Sequence, residues 1–166
     1  MKPLHRSVNP LRSEDAAYIA GLIDGEGTIT LTREHRNEGR RLVVSIANTE
    51  RELLRFVCSA VGAGRITRKR TTSDAHTPSF AHHITSRQAL DLLAQLLPYL
   101  RSCKALRAQL AVASYLAVTP RNGRYTGDIR HARQAFEEQF LNLCAKRQAQ
   151  KGHPANTDTP GGFPAS

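Results

Sequence analysis

AAYIAGLIDGEGT, residues 16–28, is the stretch around which the rest of the sequence is organised. Its apolar residues Ile19, Leu22 and Ile23 recur at helical spacing, so we predict a helix over about residues 14–24 with one face in a core. A second face carries small residues, which would let another helix backbone approach closely. This second face comprises Ala17, Ala20, Gly21 and Asp24.

Two acidic residues, Asp24 and Glu26, follow at the C-terminal end of this helix, and each is next to a glycine. A carboxylate there faces the negative end of the helix dipole, which costs a few tenths to about 1 kcal/mol unless a cation offsets it. Gly25 and Gly27 can leave helical geometry cheaply and expose backbone carbonyls. Such an all-oxygen donor set suits a hard cation such as Mg²⁺. A glycine-capped helix with solvated acids fits the same residues about equally well.

The charge of the chain points to a polyanionic partner. The 166 residues suit one domain, and 24 Lys and Arg against 14 Asp and Glu give a net charge of +10. Nucleic acid is the partner that such an excess favours. The sequence has no Trp and only 5% aromatic residues, which disfavours single strands recognised by base stacking.

Cysteine usage and hydropathy bear on the compartment. Cys58, Cys103 and Cys144 are odd in number and far apart, which predicts neither a disulfide framework nor a zinc site. We expect free thiols in a reducing compartment. No signal-like apolar run occurs in residues 1–9, and no window reaches the about 18 apolar residues of a membrane span. We therefore expect an intracellular, soluble protein of the cytoplasm, nucleoid or an organelle matrix, with no membrane partner.

The periodicities along the chain predict a single α+β domain over residues 13–147, between a basic arm (1–12) and a disordered tail (148–166). Alternating residues predict a β-hairpin after the first helix. Thr49 and Glu52 have the spacing of a capping box, which predicts the start of the next helix. The predicted order is α-β-β-α-β-β-α-α-α, with later strands near 65–71 and 79–85 and later helices near 86–98, 101–117 and 128–147.

Four strands in this order predict an antiparallel sheet with helices on one face and a polar, basic face open to solvent. Such a face suits a DNA groove. Arg and Lys side chains there suit guanine, while other cations contact phosphates. A shift of register by one residue would reverse the set of outward residues. The predicted DNA-binding residues are Thr30, Thr32, Glu34, Arg36, Arg41, Ser45, Thr67, Lys69 and His83.

The nonapeptide IAGLIDGEG, residues 19–27, is similar to the signature of the LAGLIDADG homing endonucleases. It departs from that signature with Ile19 for leucine, Gly25 for alanine and Glu26 for aspartate. The αββαββα order resembles the core of the same family, and the resemblance covers about residues 10–115. The sequence predicts extra C-terminal helices after this core.

The resemblance implies a metal site at Glu26, the second acidic position, with the backbone carbonyl of Gly25 as a further ligand. Mg²⁺ is the implied cofactor, with Mn²⁺ as a substitute and Ca²⁺ supporting binding without cleavage. Asn48 matches a polar family position that orders water, with Glu50 as the alternative. Lys104 matches a lysine near the cleaved bond, with Arg101 as its competitor.

Only one copy of the motif is present, and family members with one copy resemble homodimers. The small residues Ala17, Ala20 and Gly21, with Asp24, are the predicted interface, since two copies about a two-fold axis would satisfy it. The implied target is therefore long and pseudo-palindromic.

The implied function is a metal-dependent, site-specific endonuclease that cuts double-stranded DNA, as intron-associated members of the family do. An intron RNA maturase and a non-cleaving DNA-binding regulator are alternatives on the same scaffold. The acidic pair disfavours the regulator, because a pure binder gains nothing from carboxylates near phosphate. A basic domain with a chance motif is the remaining alternative.

Overall fold

The secondary structure follows the predicted order. The computed structural model describes residues 7–33, 39–69, 77–121 and 124–144, which form five helices and four strands. The elements are α1 (Ser13–Glu26), β1 (Gly27–Thr32), β2 (Arg41–Asn48), α2 (Arg51–Val61), β3 (Arg65–Arg68), β4 (Phe80–Thr85), α3 (Ser86–Leu96), α4 (Lys104–Ser114) and α5 (Gly127–Asn142).

The four strands form one antiparallel sheet in the order β1-β2-β4-β3. The β1–β2 hairpin is confirmed, with Gly27 opposite Ile46 at one end and Thr32 opposite Arg41 at the other. This sheet, with helices packed against one face, confirms the predicted α+β class with an αββαββα core and extra C-terminal helices.

The core lies between the sheet and the helices, as the alternation of apolar residues predicted. Ile29 and Leu42 are buried on the inner face of the β1–β2 hairpin, and Ile19 and Ile23 of α1 belong to the same core. Strand side chains alternate between faces, so the outer face is left to Thr, Ser, Arg and His.

One polar residue, His82 of β4, is buried in this inner layer. Its Nε2 lies 3.0 Å from the carbonyl oxygen of Ala63. Gly64 follows with φ of +92°, and a Cβ there would collide with the same ring nitrogen. Burial, the largest cause, lowers the pKa of His82. The α2–β3 connection therefore depends on a glycine in the left-handed region and on a neutral imidazole.

The predicted capping box at Thr49 and Glu52 is wrong. Helix α2 begins at Arg51 after Glu50, and no side chain caps it. Instead, the backbone N–H of Glu50 donates to Oδ1 of Asn48 at 2.8 Å. An asparagine side chain that bonds two residues ahead competes with helix initiation, which explains the later start.

The prediction of three free thiols is also wrong. Cys103 and Cys144 form a disulfide with a Cα–Cα distance of 5.6 Å, and Cys58 is free. The bridge joins the residue just before α4 to the second residue after the end of α5. A separation of 41 residues gives no local signal of such a pair.

Residues 7–12 of the predicted arm lie against the domain. The backbone N–H of Asn9 donates to the Val61 carbonyl at 2.9 Å, and that of Leu11 donates to Oε1 of Gln95 at 2.8 Å. The predicted tail, 148–166, lies outside the described residues. Within the described ranges, no helix is long and apolar enough to span a membrane.

Candidate active site at the end of the first helix

The motif residues close α1 and begin β1 without a linker. The helix continues through Glu26, which is exposed. Gly25 therefore stays in helical geometry, contrary to the expectation that it could leave the helix. Gly27 is the C-cap, and its N–H donates to the Ile23 carbonyl. A Cβ on Gly27 would lie 2.5 Å from the Ile23 Cα, so this glycine is required by close backbone approach.

Asp24 binds the segment that precedes α4. Its carboxylate accepts hydrogen bonds from the backbone N–H of Arg101 at 2.7 Å and from Ser102, at 3.3 Å from the backbone and 2.6 Å from Oγ. Partial burial alone would raise the pKa of Asp24, but these bonds and the charge of Lys104 together hold it below its usual value. The carboxylate predicted at a dimer interface is thus engaged within its own chain.

Lys104 lies against the same helix end. Its Nζ donates to the backbone carbonyls of Ile23 at 2.7 Å and Asp24 at 2.9 Å, which uses two of its three N–H donors. Burial lowers the pKa of Lys104, while the carboxylates of Asp24 and Glu26 act in the opposite direction. The ammonium is the cation that the end of the helix dipole requires.

The two candidates for the lysine position lie in different places, and so do the two candidates for the polar position. Arg101 is exposed and reaches Asp24 through its backbone, whereas the Lys104 side chain lies on α1. Asn48 ends β2 two residues beyond Ile46, which pairs with Gly27, so Asn48 lies at the same end of the sheet as Glu26. Glu50 is exposed beyond that strand end.

The outer face of the sheet, together with the end of α2 and the turn that follows it, lines a groove of about 900 Å³. One cross-strand row runs through all four strands, with Thr28 opposite Ser45, Ser45 opposite His83, and His83 opposite Arg65. The predicted residues that line the groove are Thr30, Thr32, Arg41, Ser45, Thr67 and His83.

Of the other predicted residues, Lys69 is exposed just after β3 and does not line this groove. Glu34 and Arg36 lie outside the described residues. Sequence reasoning missed Arg65, which lines the groove and has the same strand parity as Thr67. Burial lowers the pKa of His83, and the charges of Arg65 and Lys69 lower it further. The groove is thus electropositive where β3 and β4 meet.

The small-residue face of α1 divides in two. Ala17 and Gly21 are exposed, but Ala20 is fully buried in the core, which leaves it no surface for a second copy. An added Cβ would meet no atom within 4 Å at either Gly21 or Gly25. No packing within the described chain therefore requires glycine at these two positions.

A second missed residue, Arg107, lies near Lys104. Both line a cavity of about 390 Å³ between β1 and the start of α4. Nη1 of Arg107 donates to the Ile29 carbonyl at 2.9 Å, and Nη2 donates to the Leu143 carbonyl at 2.8 Å. Its burial lowers the pKa of the guanidinium. Arg107 therefore holds the end of α5 on the sheet next to the Cys103–Cys144 disulfide.

The donor set at the helix end fits Mg²⁺ better than a metal that needs a closed cage. In the described ranges, no three His, Cys, Asp or Glu side chains converge. Glu26 presents one exposed carboxylate, next to the backbone of Gly25. Mg²⁺ commonly keeps several waters and binds one or two carboxylates together with substrate phosphates.

Comparisons with known proteins agree with this architecture. A family model described as the LAGLIDADG-like domain matches residues 13–98. The homing endonuclease I-CvuI, solved with its target in the presence of Ca, superposes with a TM-score of 0.63 at 19% identity over 81% of this chain and 86% of that one. No curated protein matches the sequence.

A second I-CvuI structure, with Mg and uncleaved DNA, has a TM-score of 0.50 at 18% identity over 88% of this chain and 89% of that one. The I-LtrWI LAGLIDADG homing endonuclease bound to target DNA has a TM-score of 0.60 at 13% identity over 82% of this chain. The chain spans about half of I-LtrWI, of which 47% is covered. At these identities the likeness establishes the fold.

Proposed function

The chain belongs to the LAGLIDADG-like domain family, and from that premise we propose that it is a site-specific, Mg²⁺-dependent endonuclease of double-stranded DNA that acts as a homodimer. The observation that carries this proposal is the junction of α1 and β1. It brings an exposed carboxylate, Glu26, and a half-buried ammonium, Lys104, to the end of the sheet at which β1 begins. The outer face of the same sheet lines a groove with polar and basic residues.

Glu26 and the Gly25 carbonyl are the residues that would hold the metal. When bound, the metal supplies Lewis acidity, which activates water and stabilises charge on the scissile phosphate. Lys104 is held by two carbonyls and keeps a third N–H donor for a phosphate oxygen. Asn48, at the same end of the sheet, orients a water through its amide.

DNA binding follows from the outer face of the sheet. A β-sheet face can enter the major groove, where Arg suits guanine and Thr or Ser discriminates less. Arg65 and His83, which both line the groove on the outer face of the sheet, then contact bases or phosphates. The net charge of +10 supports the remaining phosphate contacts, which position the duplex without reading its sequence.

The exposed small residues of α1 support a homodimer. Ala17, Gly21 and Gly25 lie one turn apart on the helix and are exposed. A second α1 packed on this face by two-fold symmetry would explain glycines that the described chain does not need. Two catalytic centres near the axis then cut both strands of a pseudo-palindromic target.

Cleavage of a plasmid library tests the nuclease activity. We expect the wild type to cut with Mg²⁺ or Mn²⁺ and to bind without cutting in Ca²⁺. Glu26→Gln should bind DNA and not cut, while Glu52→Gln, an exposed acid on α2, should cut like the wild type. If the wild type binds DNA and cuts none of the library, the protein is a non-cleaving binder and the nuclease proposal fails.

Sedimentation of the free protein tests the dimer. We expect the wild type to be a dimer at micromolar concentration and Gly21→Leu to be a folded monomer, because the leucine side chain meets open space in one chain and the partner helix in two. Asp91→Leu, at an exposed position on α3, is the matched control and should stay dimeric. A monomeric wild type would contradict the arrangement.

A further inference from the structure

A partly buried charge cluster joins α5 to the far end of the β1–β2 hairpin. At its centre is Glu137, whose side chain is 15% exposed. Its Oε1 accepts hydrogen bonds from the backbone N–H of Arg40 at 3.2 Å and from Nε of Arg133 at 3.2 Å. Its Oε2 lies 3.5 Å from Nε of Arg40. One carboxylate of α5 thus pairs with two cations, one of which belongs to the hairpin.

Arg133 completes the attachment. Its side chain is 14% exposed, and its Nη2 donates to the Arg40 carbonyl at 2.6 Å. Its Nη1 donates to the Tyr125 hydroxyl, and the guanidinium lies 5.0 Å from the centre of that ring. A Cβ on Gly39 would lie 2.5 Å from Cζ of Arg133, so the guanidinium crosses the chain where Gly39 has no side chain.

The two peptide groups of Arg40 are therefore bonded to α5 and not across the hairpin. The strand pairing ends at Thr32 and Arg41, so the cluster begins one residue beyond the last pair. Charges this buried are stable only when their partners are held in place, and removal of one partner leaves the others unpaired. The cluster fixes the path of the chain where it enters β2.

The position of the cluster relative to Glu26 decides what it can influence. Strand β1 runs from Gly27, next to Glu26, to Thr32, a length of about 17 Å at the usual strand rise. Duplex DNA rises about 3.4 Å per base pair. The hairpin end thus lies several base pairs from the cleavage centre of the same subunit.

We propose that Glu137 and Arg133 are positioning residues for DNA specificity, which fix the hairpin end bearing Thr32 and Arg41 against base pairs far from the cut. The inference rests on the proposed function, since it assigns a role within the same DNA-binding face. In this role neither residue needs to touch DNA or the metal. They act through the backbone of Arg40 and leave the catalytic end of the sheet unchanged.

The test compares Glu137→Ala with Glu138→Ala, a matched control at an exposed position on the same helix. Single-turnover cleavage is measured on the target and on targets substituted near the cut or several base pairs away. We expect Glu137→Ala to raise Kd and to reduce discrimination at the distant pairs by about tenfold, the size of one lost base contact. The maximal cleavage rate and discrimination near the cut should match the control.

Gly39→Ala gives a second variant that leaves every charge in place. Its methyl group displaces the Arg133 guanidinium, so it should cause the same selective loss at distant base pairs. Unchanged discrimination in both variants would overturn the inference. So would a loss spread equally over all base pairs, which indicates a general effect on folding.

Amide hydrogen exchange of the free protein separates this inference from the proposed function. In Glu137→Ala the Arg40 amide loses its acceptor and should exchange at least about tenfold faster, whereas amides in α1 should not change. Unchanged exchange at Arg40 refutes the inference even if the protein cuts DNA. If the Arg40 amide exchanges faster in Glu137→Ala but the protein binds no DNA, both the role in DNA specificity and the proposed function are refuted. Only the attachment of α5 to the hairpin through Arg40 would then remain.

Discussion

Replacement of Asp24 by asparagine should lower the stability of the protein more than its exposure suggests. The carboxylate accepts three hydrogen bonds from Arg101 and Ser102, two of them at 2.7 Å or less. Asparagine keeps one acceptor oxygen but turns an NH₂ group toward an N–H donor. The variant therefore loses the negative charge, one short hydrogen bond and the electrostatic attraction to Lys104.

The size of the effect follows from these contacts. A hydrogen bond to a charged group contributes about 1.5–3 kcal/mol, and water competes for a half-exposed carboxylate. We expect Asp24→Asn to reduce the free energy of unfolding by about 2 kcal/mol, equivalent to about 4–8 °C in Tm for a domain of this size. Asp91→Asn, exposed on α3, should change it by less than about 0.5 kcal/mol.

Urea unfolding at several pH values measures both the size of the stability loss in Asp24→Asn and the direction in which this loss changes with pH. The folded state holds the pKa of Asp24 below the ordinary value of 3.8 that it has in an unfolded chain. Its stabilisation is therefore present above pH 3.8 and is lost as pH falls through the lower folded-state pKa. The curves of wild type and Asp24→Asn should converge in acid. A difference at pH 7 below about 0.5 kcal/mol, or one that persists in acid, would refute this account of the helix end.

Three further outcomes follow from other contacts. Burial lowers the pKa of His82 from 6.5, so as pH falls the unfolded chain takes up a proton before the folded protein does. The free energy of unfolding should therefore be highest above pH 6.5 and decrease as pH drops below 6.5. Urea unfolding at several pH values should show this decrease, and His82→Gln should make it smaller. Gly64→Ala should lower the free energy of unfolding by about 1–3 kcal/mol, because Gly64 has a φ of +92° and the added Cβ would collide with His82. Gly127→Ala is the control: its added Cβ meets no atom within 4 Å, so thermal melts should show no comparable loss of stability. Reduction of the Cys103–Cys144 disulfide, or Cys103→Ser, should remove about 4 kcal/mol in denaturant unfolding, the chain-entropy value for a separation of 41 residues; an equal stability with and without reductant would contradict it.

The sheet and its two faces were predictable because strand side chains alternate. Ile29 and Leu42 were assigned to the core and Thr30 and Ser45 to the outer face from period alone, and the structure places them so. The same parity would have included Arg65, since the predicted strand began there. Strand patterns were reliable because burial on one face constrains every second residue.

The small-residue face of α1 was predicted less well, because Ala17, Ala20, Gly21 and Asp24 do not all lie on the same side of the helix. At 3.6 residues per turn, Ala20 lies about 60° around the helix from Ala17. That rotation carries Ala20 into the core with Ile19, while Ala17 and Gly21 stay exposed. Residue size gave no indication of this division.

Contacts between distant segments gave no sequence signal. Arg107 binds carbonyls of β1 and of the chain after α5, and Glu137 binds a residue 97 positions earlier. The disulfide joins residues 41 apart. Such groups come together only when the fold brings their elements together, so a pattern of local spacing cannot identify them.

The absence of a linker between α1 and β1 couples two geometries. Glu26 ends the helix, Gly27 starts the strand, and Gly27 lies too close to Ile23 to accept a side chain. A change in the orientation of α1 therefore changes the orientation of the sheet by the same rotation. In the proposed dimer, the crossing angle of the two α1 helices sets the distance between the two grooves, and with it the number of base pairs that separate the half-sites. Substitutions on the outer side of α1 would thus retune spacer length without altering a single base contact.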